Sequence, residues 1–260
     1  MIRISIITVT YNAEKVLKRT LQSVQMQTWS RVEHLIIDGA SKDKTIEIAN
    51  DYKEQSPHEV VILSEPDRGI YDAMNKGLRM ATGDYVIFLN AGDCLHSHDT
   101  LLTVAESISR TPVSSNPRIT NDLPAVIYGN TDIVDDEGRF LFHRHLSAPK
   151  HLTWRSFRNG MLVCHQAFYA RRDIAADVQY NLAYRYSADV DWCIRVMKEA
   201  ERRGLALVDT NAVLADYLKE GQTTQNHRAS LKERFIVMKR HYGLFTTMIM
   251  HLWFLVRNLK

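Results

Sequence analysis

The stretch YVIFLNAGDCL, residues 85 to 95, sets an amide and a carboxylate, Asn90 and Asp93, across two small residues at the end of an apolar run. Tyr85 to Leu89 has the length and the β-branched and aromatic content of a buried strand. Asn, Gly and Asp also form ordinary turns, so this stretch alone decides nothing. Three earlier strand-like runs end in the same manner, in Thr8-Val9-Thr10-Tyr11-Asn12, in Asp38-Gly39 and in Glu65-Pro66-Asp67. In a parallel sheet all carboxyl ends share one edge, and ligands bind in the crevice outside it. Four strands thus deliver acids, amides and hydroxyls to one rim. An acidic rim repels phosphate, and neither the Gly-x-Gly-x-x-Gly nor the P-loop pattern is present to cradle it. Such a rim holds phosphates through a divalent cation, Mg²⁺ or Mn²⁺ on one or two carboxylates. Asp38, directly after a strand, suits the hydroxyls or ring nitrogens of a nucleoside.

The elements that position these residues follow from periodicity. Strands at Ile4 to Val9, 32–38, 59–65 and Tyr85 to Leu89 alternate with helices at 13–25, after Asp43 (a candidate cap) and at 70–81. That alternation means βαβ units, an α/β fold and a mostly parallel central sheet flanked by helices. Further strands are expected at 125–129 and 205–209, a helix near 190–203, and a loop over 109–124. A basic, then apolar, helical tail follows from Arg228. The 260 residues fit one large domain or two small ones. A net charge of +3 without basic runs interleaved with aromatics argues against nucleic acid. Cys94, Cys164 and Cys193 are too far apart for a disulfide framework or zinc ribbon and suit a reducing compartment. The first residues read as a strand and not as a signal peptide, and no apolar run reaches the roughly 18 residues of a membrane span. A cytoplasmic location is expected.

The motifs SIITVTYN, IIDGASKDKT, SEPDRGIYDAMNKG and FLNAGD, in this order and spacing, resemble the donor half of family 2 glycosyltransferases. The match is closest to the bacterial exopolysaccharide subgroup that includes the colanic-acid enzymes. It continues through CHQAFY, YSADVDW and EGQTTQN, over about residues 2 to 226. The resemblance implies a GT-A fold over residues 1–227, with a donor half at about 1–95, an acceptor half at about 125–227, and the tail 228–260. It implies a nucleotide-sugar donor, a glycan or lipid-linked acceptor, inversion at the anomeric carbon, and a role in bacterial surface polysaccharide synthesis. By the same resemblance Thr8, Tyr11, Asp38, Asp67, Asn75 and Asn90 hold the nucleotide sugar and Asp93 is the metal ligand. Asp189 falls at the catalytic base, with His165, Gln166 and, more weakly, Asp191 on the acceptor side. Two departures stand out. Asn90 replaces a usual Asp, leaving one metal carboxylate, and Ala188 replaces the Glu common before the base.

Other residues read more plainly. Asp132, Asp135 and Asp136 are expected in a solvated hairpin turn, and Cys94 in packing, since hard Mg²⁺ avoids sulfur. In the tail, Phe245, Ile249, Leu252, Val256 and Leu259 line one helical side, flanked by Lys239, Arg240, Arg257 and Lys260. That pattern fits an interfacial helix lying on the inner membrane face; the alternative is a helix packed on the domain. Two rival functions remain. A sugar nucleotidyltransferase would need a Gly-rich, basic loop after the first strand, which TVTYNAEK does not offer. A non-catalytic nucleotide-sugar-binding protein is compatible with Asn90.

Overall fold

The computed structural model describes residues 1–110, 123–219 and 227–257. Strands β1 (Ile4–Thr10), β2 (Val32–Asp38), β3 (Glu59–Ser64) and β4 (Tyr85–Phe88) lie in the order β3-β2-β1-β4, all parallel. Every residue of β1, β2 and β4 is buried, as expected of strands covered on both faces. Helices α1 (Leu17–Gln25), α2 (Thr45–Gln55) and α3 (Ile70–Met80) make the crossovers. Asp43 takes the N–H of Thr45 at 3.0 Å, at the start of α2.

Register brings the strand ends level. Thr10 pairs with Asp38, and Asp38 with Ser64. Beyond β4, the N–H groups of Leu89 and Ala91 still reach the carbonyls of Ile7 and Val9. The chain therefore delivers Asn90 at the height of Thr10 and Asp38.

The second half continues the same sheet with mixed pairing. Strands β5 (Cys94–Leu95), β6 (Val126–Val134), β7 (Phe140–His143), β8 (Phe168–Arg171) and β9 (Leu207–Leu218) extend it in the order β4-β8-β6-β9-β5, with β7 on β6. β6 and β9 run well past the expected 125–129 and 205–209, because both alternate polar and apolar residues toward their ends. This corrects the reading of Asp132. It lies within β6 and is 4% exposed, while Asp135 alone organises the turn, accepting from the N–H groups of Glu137 and Arg139.

Helices α4 (Thr100–Ser107), α5 (Arg172–Asp177) and α6 (Ala188–Arg203) complete the layers. Two more follow, α7 (His227–Tyr242) and α8 (Leu244–Arg257). Gly243, at φ +81°, turns the chain between them, and Phe235 meets His251 at 5.0 Å, so α8 folds back on α7. Most of the expected loop, and EGQTTQN, lie outside the described residues.

Gly77 lets α3 press on the sheet, since a Cβ there would stand 2.4 Å from Ile7 Cγ2 and 3.3 Å from Ile37 Cγ1. Overpacking costs about 1–3 kcal/mol, against roughly 1 kcal/mol gained from alanine's helix propensity. With two buried strand residues in the way, Gly77→Ala should lower unfolding stability by a net ~1–2 kcal/mol in urea denaturation. An unchanged or higher midpoint would show that α3 can lift off the sheet freely.

Candidate active site

The rim is built first by β1 and β2. Asp38 is fully buried and accepts the Ser41 N–H at 2.9 Å and the Ser64 hydroxyl at 2.7 Å. The loops after the two strands are laced together: Asn12 N–H donates to Ser41 Oγ at 2.8 Å, and Lys42 N–H to Asn12 Oδ1 at 2.9 Å. Ala40 carries φ +62°, a strained conformation of the kind that collects at ligand sites. Gly39 admits no side chain, because a Cβ would lie 2.5 Å from Asp67 Oδ2 and 3.3 Å from the Tyr11 ring. The structure thus brings Tyr11, 63% exposed, and Asp67 together beside Gly39, the residue after Asp38.

Two other residues expected at the nucleotide, Thr8 and Asn75, lie below the rim surface with partners inside the protein. Thr8 is fully buried, with Oγ1 2.9 Å from His34 Nε2, whose Nδ1 meets the Tyr52 hydroxyl at 2.8 Å. Burial pushes His34 down to about 3, so this chain is a neutral structural network under α2. Thr8 sits two residues, about 7 Å, short of the rim. Thr10 reaches it instead, and its buried hydroxyl finds no partner among the described residues. Asn75 is spent on Tyr180, donating to its carbonyl at 2.9 Å and accepting its N–H at 2.7 Å. It ties the Tyr180 loop to α3.

At the end of β4, Gly92 adopts φ +101°, and a Cβ there would lie 2.8 Å from Leu218 Cδ2. The turn carries Asp93 inward to 4% exposure, where Gln166 Nε2 donates to it at 2.8 Å and Leu218 N–H at 3.0 Å. Burial dominates and pushes Asp93 up to about 6, against those two hydrogen bonds. In the same turn Asn90 Nδ2 lies 3.3 Å from His165 Nε2, while its buried Oδ1 finds no partner among the described residues. An orphaned amide oxygen and a buried carboxylate with spare lone pairs form a hard oxygen donor set. It fits Mg²⁺ or Mn²⁺.

Across the crevice, α6 begins with Asp189. Its carboxylate accepts the Tyr71 hydroxyl at 3.3 Å and faces His165 Nδ1 at 3.5 Å. Burial raises its pKa, but the hydrogen bond and charge of His165, then the charge of Arg234, outweigh that and hold it below the usual carboxylate range. Tyr71 stacks on Tyr180, and Tyr180 on Trp192, at 5.4 and 5.0 Å, with Phe88 edge-on to both Tyr180 and Trp192. Such an aromatic stack fixes its members by packing. Consecutive residues His165 and Gln166 therefore touch the two carboxylates, Asp189 and Asp93. An ionised carboxylate thus lies across from the Asn90–Asp93 turn.

Asp191, expected weakly on the acceptor side, does not join this cluster. It is fully buried between Arg195, at 2.6 Å, and His241, at 2.8 Å. Two residues unforeseen from the sequence do bear on Asp189. Arg234 faces it from α7 with a buried Nε that lacks a partner among the described residues. Glu233 accepts the N–H groups of Arg185, Tyr186 and Ser187 at 2.7, 2.6 and 2.6 Å, gathering the orphan donors where α6 starts.

Comparison with known proteins gives this geometry a setting. The family model described as Glycosyl transferase family 2 matches residues 5–178. A PGL/p-HBAD biosynthesis glycosyltransferase of Mycobacterium bovis BCG is 34% identical over 192 residues, covering 74% of this chain and 68% of the relative. The Escherichia coli glycosyltransferase YibD is 37% identical over 105 residues, 40% of this chain and 30% of that one. S. aureus TarS 1-349, solved in complex with UDP-GlcNAc, matches 91% of this chain at 18% identity and a TM-score of 0.68. A Pyrobaculum calidifontis mannosyltransferase solved with GDP-Man and Mn²⁺ matches 92% at 18% identity and a TM-score of 0.59. The chain spans 64% of each of these two structures, and at such identities the likeness is one of fold.

The Glu233 clamp should be measurable. Hydrogen bonds to a charged acceptor are worth about 1.5–3 kcal/mol each where shielded, less at this partly exposed position. Glu233→Ala should lower stability by about 2 kcal/mol and selectively speed hydrogen exchange at the amides of Arg185, Tyr186 and Ser187. Unaltered exchange there would mean that the N-terminus of α6 is ordered by other contacts.

Proposed function

Because this chain belongs to glycosyl transferase family 2 and has the GT-A fold, we propose that it moves one sugar from a nucleotide-sugar donor to a glycan or lipid-linked acceptor with inversion. The observation that carries this reading is the His165–Gln166 bridge, with the ionised Asp189 on one side and the Asn90–Asp93 turn on the other. Residues 1–95 form the donor half and 125–227 the acceptor half. Tyr11, Asp38 and Asp67 receive the nucleoside at the rim, and Asn90 lies beside the diphosphate. Asp93 and the Asn90 amide oxygen are the residues that would hold Mg²⁺ or Mn²⁺, and the structure solved with Mn²⁺ in a related fold supports such an ion. A bound ion would supply Lewis-acid charge for the leaving diphosphate. Asp189 takes the proton of the acceptor hydroxyl, and the freed oxygen attacks the anomeric carbon from the side opposite the leaving group. Tyr71 and His165 hold Asp189 in position, and its depressed pKa keeps it ionised at neutral pH. A positioned base typically contributes about 10²–10⁴ in rate. Bacterial surface polysaccharide is the product class that we favour, consistent with relatives named for glycoconjugate biosynthesis.

A panel of UDP-, GDP- and dTDP-sugars, screened for binding and then for hydrolysis, tests the reading and finds the donor. Asp189→Asn should bind the nucleoside diphosphate normally and lose about 10²-fold or more in turnover. Asp93→Asn should instead lose the enhancement of binding by Mn²⁺. If Asp189→Asn loses binding, or Asp93→Asn keeps the metal effect, the two roles are wrongly assigned.

The acceptor side extends to the membrane in this proposal. Among the described residues, no helix is long and apolar enough to cross one. Yet α8 turns Leu244, Phe245, Met248, Ile249, Leu252 and Trp253 outward, with Phe245 85% and Ile249 61% exposed. This is the face expected from the sequence; Leu259 and Lys260 lie outside the described residues. Thr247 and His251 face α7 instead. Exposed Lys239 and Arg240 adjoin the stripe, and each such cation near an anionic leaflet contributes on the order of 1 kcal/mol, screened by salt. A lipid surface is therefore its proposed occupant, at the inner membrane face. The protein should sediment with anionic vesicles at low salt and be released by salt. Phe245→Glu with Ile249→Glu should abolish sedimentation without altering stability. Sedimentation that survives both changes would exclude α8 as the contact.

A further inference from the structure

On the sheet's other face, the strands assemble a set of side chains that the donor site does not use. Asp132 of β6 and Asp216 of β9 are register partners, and His143 of β7 is the partner of Asp132. Cys94 of β5 pairs with Asp216, and His96 lies two residues further along, on the same side. His96 Nδ1 stands 2.7 Å from Asp216 Oδ1, and His143 Nδ1 2.8 Å from Asp132 Oδ1. One donor atom each from His96, Asp132 and Asp216 lie within 4.8 Å of one another.

Strand alternation separates this cluster from the site of Asp93 and Asp189. Tyr217, next to Asp216, feels the charges of Asp93 and Asp189, so Asp216 points the other way. His96 likewise feels Asp216 and Asp132 and not the donor-site acids. Two carboxylates side by side on neighbouring strands repel, and Asp132 is only 4% exposed, out of reach of full solvent screening. Each carboxylate has an imidazole beside it, and a metal that takes the neutral imidazole as ligand would replace the proton's charge with its own. The cluster's imidazole and carboxylate donors are those of a borderline ion, unlike the oxygen-only set of the Asn90–Asp93 turn.

We propose that His96, Asp132 and Asp216 form a second cation site for a Zn²⁺-class ion, with water completing the coordination. Tetrahedral donors about 2.0–2.2 Å from zinc stand roughly 3.3 Å apart, so small side-chain movements close the cluster of three. Binding releases any proton that His96 shares with Asp216. The ion's role is a clasp. β5 is two residues long, follows Asp93 directly and, among the described residues, pairs with β9 alone. Tying His96 to β9 and β6 pins the outgoing side of the turn that presents Asn90 and Asp93.

The test is calorimetric titration of the metal-free full chain with Zn²⁺, without nucleotide, followed by the absorption spectrum of the Co²⁺ form. One equivalent, a tetrahedral Co²⁺ spectrum and a raised melting temperature are expected. His96→Ala and Asp132→Asn should each weaken binding at least tenfold, while Asp93→Asn leaves it unchanged. No binding would overturn the proposal, as would binding indifferent to His96→Ala and Asp132→Asn. Loss on Asp93→Asn would do so too, by placing the ion in the donor site.

Discussion

The buried carboxylate of Asp93 is the constraint around which the two halves of the sheet are arranged. It is reached by the parallel half through β4, by the mixed half through the N–H of Leu218 at the end of β9, and by the 165–167 turn through Gln166. Three segments far apart in sequence converge on one acid. A charge at that depth is costly without partners, and two hydrogen bonds leave it still pushed up to about 6. In the proposed reading a divalent cation would supply what remains. The contacts that tune Asp93 also tie the two halves of the sheet together at this point.

The parallel half was legible because its strands are covered on both faces and read as continuous apolar runs, with polar residues confined to their ends. Depth along a strand was harder to read. Thr8 and Thr10 share a face, and the family motif favoured the former, but the register puts Thr10 opposite Asp38 and leaves Thr8 beneath α2 beside His34. Asn75 was incompletely legible for a related reason. A polar residue inside a specific motif reads as a ligand contact, and the structure adds that its amide is matched to the backbone of Tyr180, 105 positions away. No local pattern announces such a partner.

The mixed half hid more. β6 and β9 carry alternating polar residues that resemble turns, so Asp132 was placed on the surface although its strand pairs on both sides. Glu233 and Arg234 sit in a helix dense with charge, where an acid and a base ordinarily mean a solvated face. Their significance depends on which way that helix packs, and only tertiary structure reveals it. Asp191 shows the converse. As a helix-start acid it was read weakly as an acceptor-side group, and its carboxylate in fact anchors α7 through His241.

That anchorage links chemistry to location. α7 grips α6 at two points, Glu233 on the backbone before Asp189 and His241 on Asp191, each within three residues of Asp189. At its far end Gly243 reverses the chain into α8, whose apolar stripe faces outward. One helix therefore connects the proposed membrane contact to the proposed base. Stacked aromatics reinforce this end, with Trp154 parallel to Tyr242 at 5.7 Å and the Tyr242 hydroxyl on the Trp154 carbonyl at 2.6 Å. A lipid-linked acceptor held at the surface under α8 would then approach from the side on which Asp189 waits, while the nucleotide enters over the strand ends. Packing of this density transmits orientation because it does not deform continuously. In this proposal the direction from which the acceptor arrives is set by the same helix that positions Asp189.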